Sequence, residues 1–223
     1  MSKTAARRLT GPLVLLLLLI GAGWITGCSP ALFWERRRHL GDIVTKMLPP
    51  DWGFAAQVLP PLLMTVQMSV TGTAVGALLA LPAAFFCAEG MPTPRPLRTL
   101  LRALVQVLRS FPSLILALFA TFLFGFGSFP GTVDITVYTF AILARLTYED
   151  IETAPLAPFR ALLAMGTSPF RAYVHALLPA FAPSFLANTL YLLEGNLRHS
   201  SILGYVGAGG LGLLLSEKIS WRE

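Results

Sequence analysis

The residues that could do chemistry are few, and their spacing argues against catalysis. Gly207-Ala208-Gly209-Gly210-Leu211-Gly212 satisfies Gly-x-Gly-x-x-Gly and follows a strand-like run, Ser201 to Val206. In a dinucleotide site such a turn brings a pyrophosphate onto a helix N-terminus, but the chemistry also needs a ribose-binding acid about 20 residues further on. The sequence has eleven residues after Gly212, so the reading preferred is a broken, close-packed backbone beside a pathway. Glu149, Asp150 and His175 are the nearest approach to a membrane enzyme's acid–base set, with no spacing that gathers them beside a nucleophile. His39, His175 and His199 are scattered, and neither His-Glu-x-x-His nor Cys-x-x-Cys occurs, so no metal-ligand pattern is present. Gly-x-x-x-x-Gly-Lys-Ser/Thr is absent too, which leaves ATP phosphates without a cradle.

The elements that must position these residues are apolar. Of 223 residues, 55% are hydrophobic and 13% charged, with a mean hydropathy of +0.68. A soluble domain carries about 25% charged residues, so this composition argues against a soluble globule, a disordered chain or a disulfide scaffold. Cys28 and Cys87 make no framework, and Cys87 lies inside an apolar run as a free thiol. Stretches without Asp, Glu, Lys or Arg run from Leu9 to Trp34, Trp52 to Ala88, Ser110 to Val133, Ala172 to Leu193 and His199 to Ser216. About 20 apolar residues cross about 30 Å of hydrocarbon. The expectation is an all-α, polytopic membrane bundle of about five spans.

The spans expected are Leu9–Ile25, one within Pro60–Cys87, Leu100 to about Phe124 with a kink at Pro112, Thr132 to about Leu146, and Ala172 to about Leu193. Residues 1–27 read as a signal anchor, although Ile25-Thr26-Gly27-Cys28 also matches a bacterial lipoprotein cleavage site. Residues 28–58 read as an extracytoplasmic segment with a short amphipathic surface helix, Trp34 and Trp52 suiting the headgroup level. Residues 59–223 form the transmembrane domain, with a cytoplasmic loop at 147–172. The small-residue stretch Thr71–Ala77 suits close helix packing. With the N-terminus inside, ten Lys and Arg residues fall inside and seven outside, a weak positive-inside bias, and the C-terminus falls outside. The net charge of +6 thus reads as topology rather than nucleic-acid binding.

The loop carries the most information. Arg160 to Met165 is a short helical pattern stopped by Gly166, and Thr167-Ser168-Pro169-Phe170-Arg171 restarts a helix with Ser168 as N-cap and Pro169 at its first position. Leu178-Pro179 then enters the last span. A docking knob on the inner face and a solvated loop both fit this pattern.

This segment resembles the permease subunits of binding-protein-dependent ABC importers. That family carries Glu-Ala-Ala, three residues, Gly, nine residues, Ile, one residue, then Leu-Pro. Ala161, Gly166 and Leu178-Pro179 match, whereas Arg160, Leu162 and Ala176 depart from Glu, Ala and Ile. The sequence is most similar to the phosphonate-type permeases, through Pro49-Pro50-Asp51-Trp52, Leu108-Arg109-Ser110-Phe111-Pro112, Tyr148-Glu149-Asp150-Ile151-Glu152 and, most specifically, Leu193-Glu194-Gly195-Asn196-Leu197-Arg198-His199-Ser200-Ser201 running into Leu203 to Gly212. Members of the family add one more hydrophobic span after that glycine-rich segment, which here gives way to Ser220-Trp221-Arg222-Glu223.

The resemblance implies the type I ABC importer permease fold in a bacterial inner membrane, with no cofactor of its own and no catalytic residue. It implies an ATPase subunit on a separate chain, a periplasmic solute-binding protein, and a homodimeric or paired permease surrounded by membrane lipid. Arg160, Ala161, Gly166, Leu178 and Pro179 would couple to the ATPase. Glu194, Asn196, Arg198, Ser200, Gly207, Gly209 and Gly210 would form the pathway or its outer gate, with Arg198 favouring an anion. Glu194 and Arg198, four residues apart, also suit an ion pair that fixes the helix. Phosphonate, phosphite and phosphate ester stay open as cargo. An ion-coupled carrier or channel is the alternative, and carriers usually keep ionisable residues mid-span.

Overall fold

A computed structural model of the chain describes residues 3–27, 34–36, 41–45, 48 and 52–220. Two compact units result, Met1–Gly53 and Phe54–Glu223. In the first, α1 (Lys3–Ile25) is Leu-rich, and its sequence carries no charged residue from Leu9 onward. Leu13 to Ile20 are all more than half exposed, as a helix that faces lipid requires. Short helical pieces at 34–36 and 41–45 follow; Cys28, Arg37 and Arg38 lie outside the described residues, as does most of the expected surface helix.

A 3₁₀ turn at Trp52–Phe54 falls on the boundary, and the second unit comprises α2 (Ala55–Cys87), α3 (Arg95–Ser110), α4 (Ser113–Phe124), α5 (Ser128–Thr153), α6 (Ala157–Ala164), α7 (Pro169–Ala172), a π-helical turn (Tyr173–Leu177), α8 (Leu178–Leu203), a 3₁₀ turn (Gly204–Val206) and α9 (Gly210–Ser220). The described residues contain no strand. Central α5 packs against α2, α3, α4 and α8. On α2 the buried small residues Ser69, Gly72, Thr73, Gly76, Ala77 and Ala80 recur at three- and four-residue spacing, and this stripe lets α2 lie close on α5, where packing replaces the hydrophobic drive.

Three apolar layers hold the unit. Ala84, Phe85, Tyr148, Ile151, Phe159 and Tyr173 pack at the end that carries α6. Ala77, Ala80, Val105, Leu143 and Ala144 fill the middle. Met68, Ala117, Ile135, Leu203 and Ala208 close the far end.

Among the described residues, two helical stretches are long and apolar enough to cross a membrane, Trp52–Cys87 and Pro169–Val206, or three if a bent helix pair is one span. The run expected as one kinked span at Leu100–Phe124 is the helix pair α3 and α4, bent by 95° at the expected proline. The cause is local. Phe111, preceding a proline, is extended (φ −75°, ψ 131°), because the ring of Pro112 disfavours helical geometry there. Within α1, Gly11–Ile25 is a shorter apolar helical stretch. α5 is longer than the Thr132–Leu146 expected, since its helix runs on through Glu149, Asp150 and Glu152. These charges find partners: Arg145 Nε donates to Glu149 at 2.7 Å, Ser184 Oγ donates to Asp150 at 2.8 Å, and Glu152 binds Arg102 and the Glu89 backbone N–H. α8 likewise extends past Leu193 and takes in Glu194 to Ser200. The strand-like Ser201–Val206 is the end of α8 and a 3₁₀ turn.

Candidate functional site

The sequence candidates fall into four places. The first is a knob built on α6 and α7. Phe159 is buried and anchors α6, leaving Arg160 and Ala161 exposed. Gly166 ends the helix at φ +85°. Its N–H donates to the Leu163 carbonyl at 2.9 Å and that of Thr167 to Leu162 at 3.1 Å, the paired bonds of a Schellman stop. A Cβ at Gly166 would meet nothing within 4 Å, so glycine is required here by backbone conformation and the space above it is open. Ser168 sits extended at the cap position of α7, but its side chain makes no capping bond; its carbonyl accepts from the Ala172 N–H at 2.9 Å. Met165 and Phe170 are 72% and 59% exposed beside Arg160. The knob is held to the bundle by Tyr173, whose hydroxyl donates to the Leu81 carbonyl at 3.2 Å and whose ring meets Phe85 edge-on at 5.1 Å. Leu178 is half-buried in the same apolar layer and Pro179 starts α8 on its exposed side. These two lie outside the knob's exposed tip.

The second place is the interior of α8. Asn196 and Ser200 are buried. Asn196 Nδ2 donates to Thr73 Oγ1 on α2 at 2.8 Å and to Thr139 Oγ1 on α5 at 2.9 Å. Ser69 Oγ bonds to Ser200 Oγ at 3.1 Å. This polar layer ties three helices, where interhelical hydrogen bonds contribute about 0.6 kcal/mol each on average.

The third is the opposite face of α8. Glu194 and Arg198 are exposed and form an ion pair along the helix. They line a groove of about 280 Å³ with Tyr138, Tyr191 and His199, and buried Asn196 also borders it. The fourth place is a cavity of about 530 Å³, lined by Pro60, Met64, Phe126, Gly207, Gly209 and Gly210. No dinucleotide turn exists at these glycines. Instead Leu211 N–H donates to Thr65 Oγ1 at 2.9 Å, so α2 caps α9, and a Cβ on Gly212 would fall on the Ser201 carbonyl and the Gly204 backbone. The seven pathway candidates are thus divided between an interior layer, an outer groove and a glycine-lined cavity.

Glu149, Asp150 and His175 do not act as a set: the two acids have the partners given above, and His175 is exposed in the π turn. Among the described residues no group of three metal-ligating side chains occurs. Sequence reasoning missed one pair. Asp134 on α5 has a fully buried side chain, and His199 Nε2 lies 3.7 Å from its Oδ2. Their separation of 65 positions hid this contact, and only the apolar setting of Asp134 signalled it.

Residues 80–223 match the family described as the binding-protein-dependent transport system inner membrane component. The chain is 33% identical over 177 residues to the phosphite transport system permease protein PtxC of Stutzerimonas stutzeri, an alignment covering 79% of this chain and 64% of that protein. It is 28% identical over 201 residues to the phosphate-import permease protein PhnE of Mycolicibacterium smegmatis, covering 90% of this chain and 38% of that one. The chain therefore spans less than two thirds of the length of these relatives. Among solved structures, the inward-facing MetNI methionine ABC transporter matches with a TM-score of 0.67 at 24% identity, over 75% of this chain and 82% of that chain. The fold is that of a type I importer permease, an all-α membrane protein. The chain belongs to the binding-protein-dependent transport system inner membrane components.

Proposed function

We propose that the chain is the membrane-spanning permease subunit of an ATP-driven importer that carries phosphite, a phosphonate or a related phosphorus oxyanion across a bacterial inner membrane. The observation that carries this reading is the knob. α6 and α7 form a compact helix–turn–helix, anchored by Phe159 and Tyr173, that presents Arg160, Met165, Gly166 and Phe170 outward on a permease fold. Similarity to a phosphite permease supports the cargo class.

On this reading the knob faces the cytoplasm and docks on a separate ATPase subunit. Arg160, Ala161 and Gly166 form the contact, and Leu178-Pro179 passes its motion into α8. A periplasmic solute-binding protein delivers the cargo to a homodimeric or paired permease. ATP binding favours one of two arrangements of the spans, because the partner binds the two states unequally. Arg198 offers a cation to the passing oxyanion.

The test is reconstitution of the permease with its ATPase and binding protein in proteoliposomes, with uptake of labelled phosphite and methylphosphonate followed with and without ATP. ATP-dependent accumulation supports the reading. Uptake at the same rate without the ATPase subunit overturns it in favour of a carrier.

A further inference from the structure

Asp134 is an anomaly in the bundle. Its side chain is wholly buried, neither carboxylate oxygen accepts a hydrogen bond, and its only ionic neighbour among the described residues is His199. An unpaired carboxylate in an apolar interior costs several kcal/mol. The 3.7 Å separation is too long for a hydrogen bond, but a proton on His199 makes it an ion pair. His199 Nε2 is buried towards Asp134 and has no other partner. The ring stacks on Tyr138, centroids 6.1 Å apart at 24°. Its exposed part lies in the α8 groove beside Arg198.

The groups facing His199 are few. From α5 come Asp134 and Tyr138, and from its own helix Tyr191, Glu194 and Arg198. α2 brings no Asp, Glu, Lys, Arg or His. α9 brings Glu217, which lines the glycine cavity, and Lys218, which lies over the Phe54 ring. With Nε2 turned inward, Nδ1 is the ring's remaining donor.

We infer, resting on the import reading above, that Asp134 is a positioning residue: from inside α5 it holds His199 against Tyr138, so that protonated His199 and Arg198 together present two adjacent cationic donors to a phosphorus oxyanion in the α8 groove. Two charged N–H donors suit a tetrahedral oxyanion better than one. Glu194 competes for Arg198, and an entering anion displaces it.

The experiment uses the full chain in lipid nanodiscs, in the assembly with which it purifies, labelled with ¹⁵N-histidine. The chain has three histidines, and His199→Gln assigns the relevant signal. The probe is sodium phosphite, with sodium chloride at equal ionic strength as the control. Phosphite is expected to shift the His199 signal, and chloride at equal ionic strength is not. Asp134→Asn is expected to weaken that response roughly tenfold, while Asp134→Glu retains most of it. Comparing variants at one pH removes the ligand's own titration. If Asp134→Asn does not accumulate, Asp134→Glu against wild type carries the test, because a retained carboxylate must retain the phosphite response. A His199 signal indifferent to phosphite overturns the inference. So does an Asp134→Asn variant with the wild-type response, even where ATP-driven uptake stands. An intact His199 response in an assembly that imports no oxyanion overturns only the import reading.

Discussion

Gly166 separates two effects that are usually confounded at a docking surface. Its φ of +85° lies in the left-handed region, and a Cβ there meets nothing within 4 Å. An L-residue in that region costs about 1–2 kcal/mol. Replacing glycine also stiffens the unfolded chain, which returns about 0.4–1 kcal/mol. The net cost of Gly166→Ala is therefore about 1 kcal/mol. Because the space is open, Gly166→Trp should cost the same within about 0.5 kcal/mol. Gly166→Asn should cost less, since asparagine tolerates this conformation. Stability in micelles, measured by denaturant unfolding, should thus be insensitive to side-chain size. Function should not be. If the ATPase packs over Gly166, the alanine variant retains most ATP-driven phosphite uptake and the tryptophan variant loses it, together with co-purification of the ATPase. Two results would refute the reasoning: a fully coupled Gly166→Trp, or a stability that falls steadily with side-chain volume.

The remaining predictions concern the contacts that hold the spans. Asn196→Leu, which removes bonds of 2.8 and 2.9 Å to α2 and α5, should cost about 1–3 kcal/mol, and a double-mutant cycle with Thr73→Val should show coupling rather than additivity. Gly212→Ala puts a methyl against backbone, which cannot step aside, so α9 should leave Gly204; a lowered yield of monodisperse protein would report this, and wild-type behaviour would contradict it. Arg102→Leu should destabilise more than Arg145→Leu. Arg102 Nε donates to the Cys87 carbonyl at 2.7 Å, its guanidinium also binds Glu152, and it stacks over Tyr148 at 4.8 Å, joining α2, α3 and α5. Arg145 bonds within its own helix to Glu149. Equal unfolding midpoints for the two variants would contradict that ranking.

The apolar runs were legible because composition alone demands that they leave water. Their ends were not. Glu149, Asp150 and Glu152 look like a loop by polarity, yet α5 continues through them. Helical hydrogen bonding depends little on side-chain charge once each carboxylate has a partner, and the partners sit on α3, on α8 and one turn earlier on α5. The 95° break between α3 and α4 was half legible. Pro112 announced a disturbance, but the size of the bend follows from extended Phe111 and from the packing of Val105 and Ala117 into different layers. Ser201–Val206 misled through its composition, since the β-branched and aromatic residues there follow the closing turns of α8.

For α8 the division of roles was contained in the numbering. Residues four apart share a helix face and residues two apart point nearly opposite ways. Asn196 and Ser200 must therefore look away from Glu194 and Arg198, and in the structure the first pair is buried while the second is exposed. A single polar cluster after an apolar run accordingly does two jobs. The inward pair fixes the register of α8 against α2 and α5 through short neutral hydroxyl and amide bonds, which need no charge and tolerate a dry interior. The outward pair keeps formal charge where a groove can hydrate it. His199 falls between the two faces, 22% exposed, and is the one α8 side chain that touches both a buried anion and the groove. No periodicity in the sequence could reveal that, because Asp134 arrives from another helix. A charge change in the groove therefore meets the buried acid through His199, whereas Asn196, which also borders the groove, joins only neutral hydroxyl partners, and substitutions at Asn196 or Ser200 should alter stability before they alter any response to an anion.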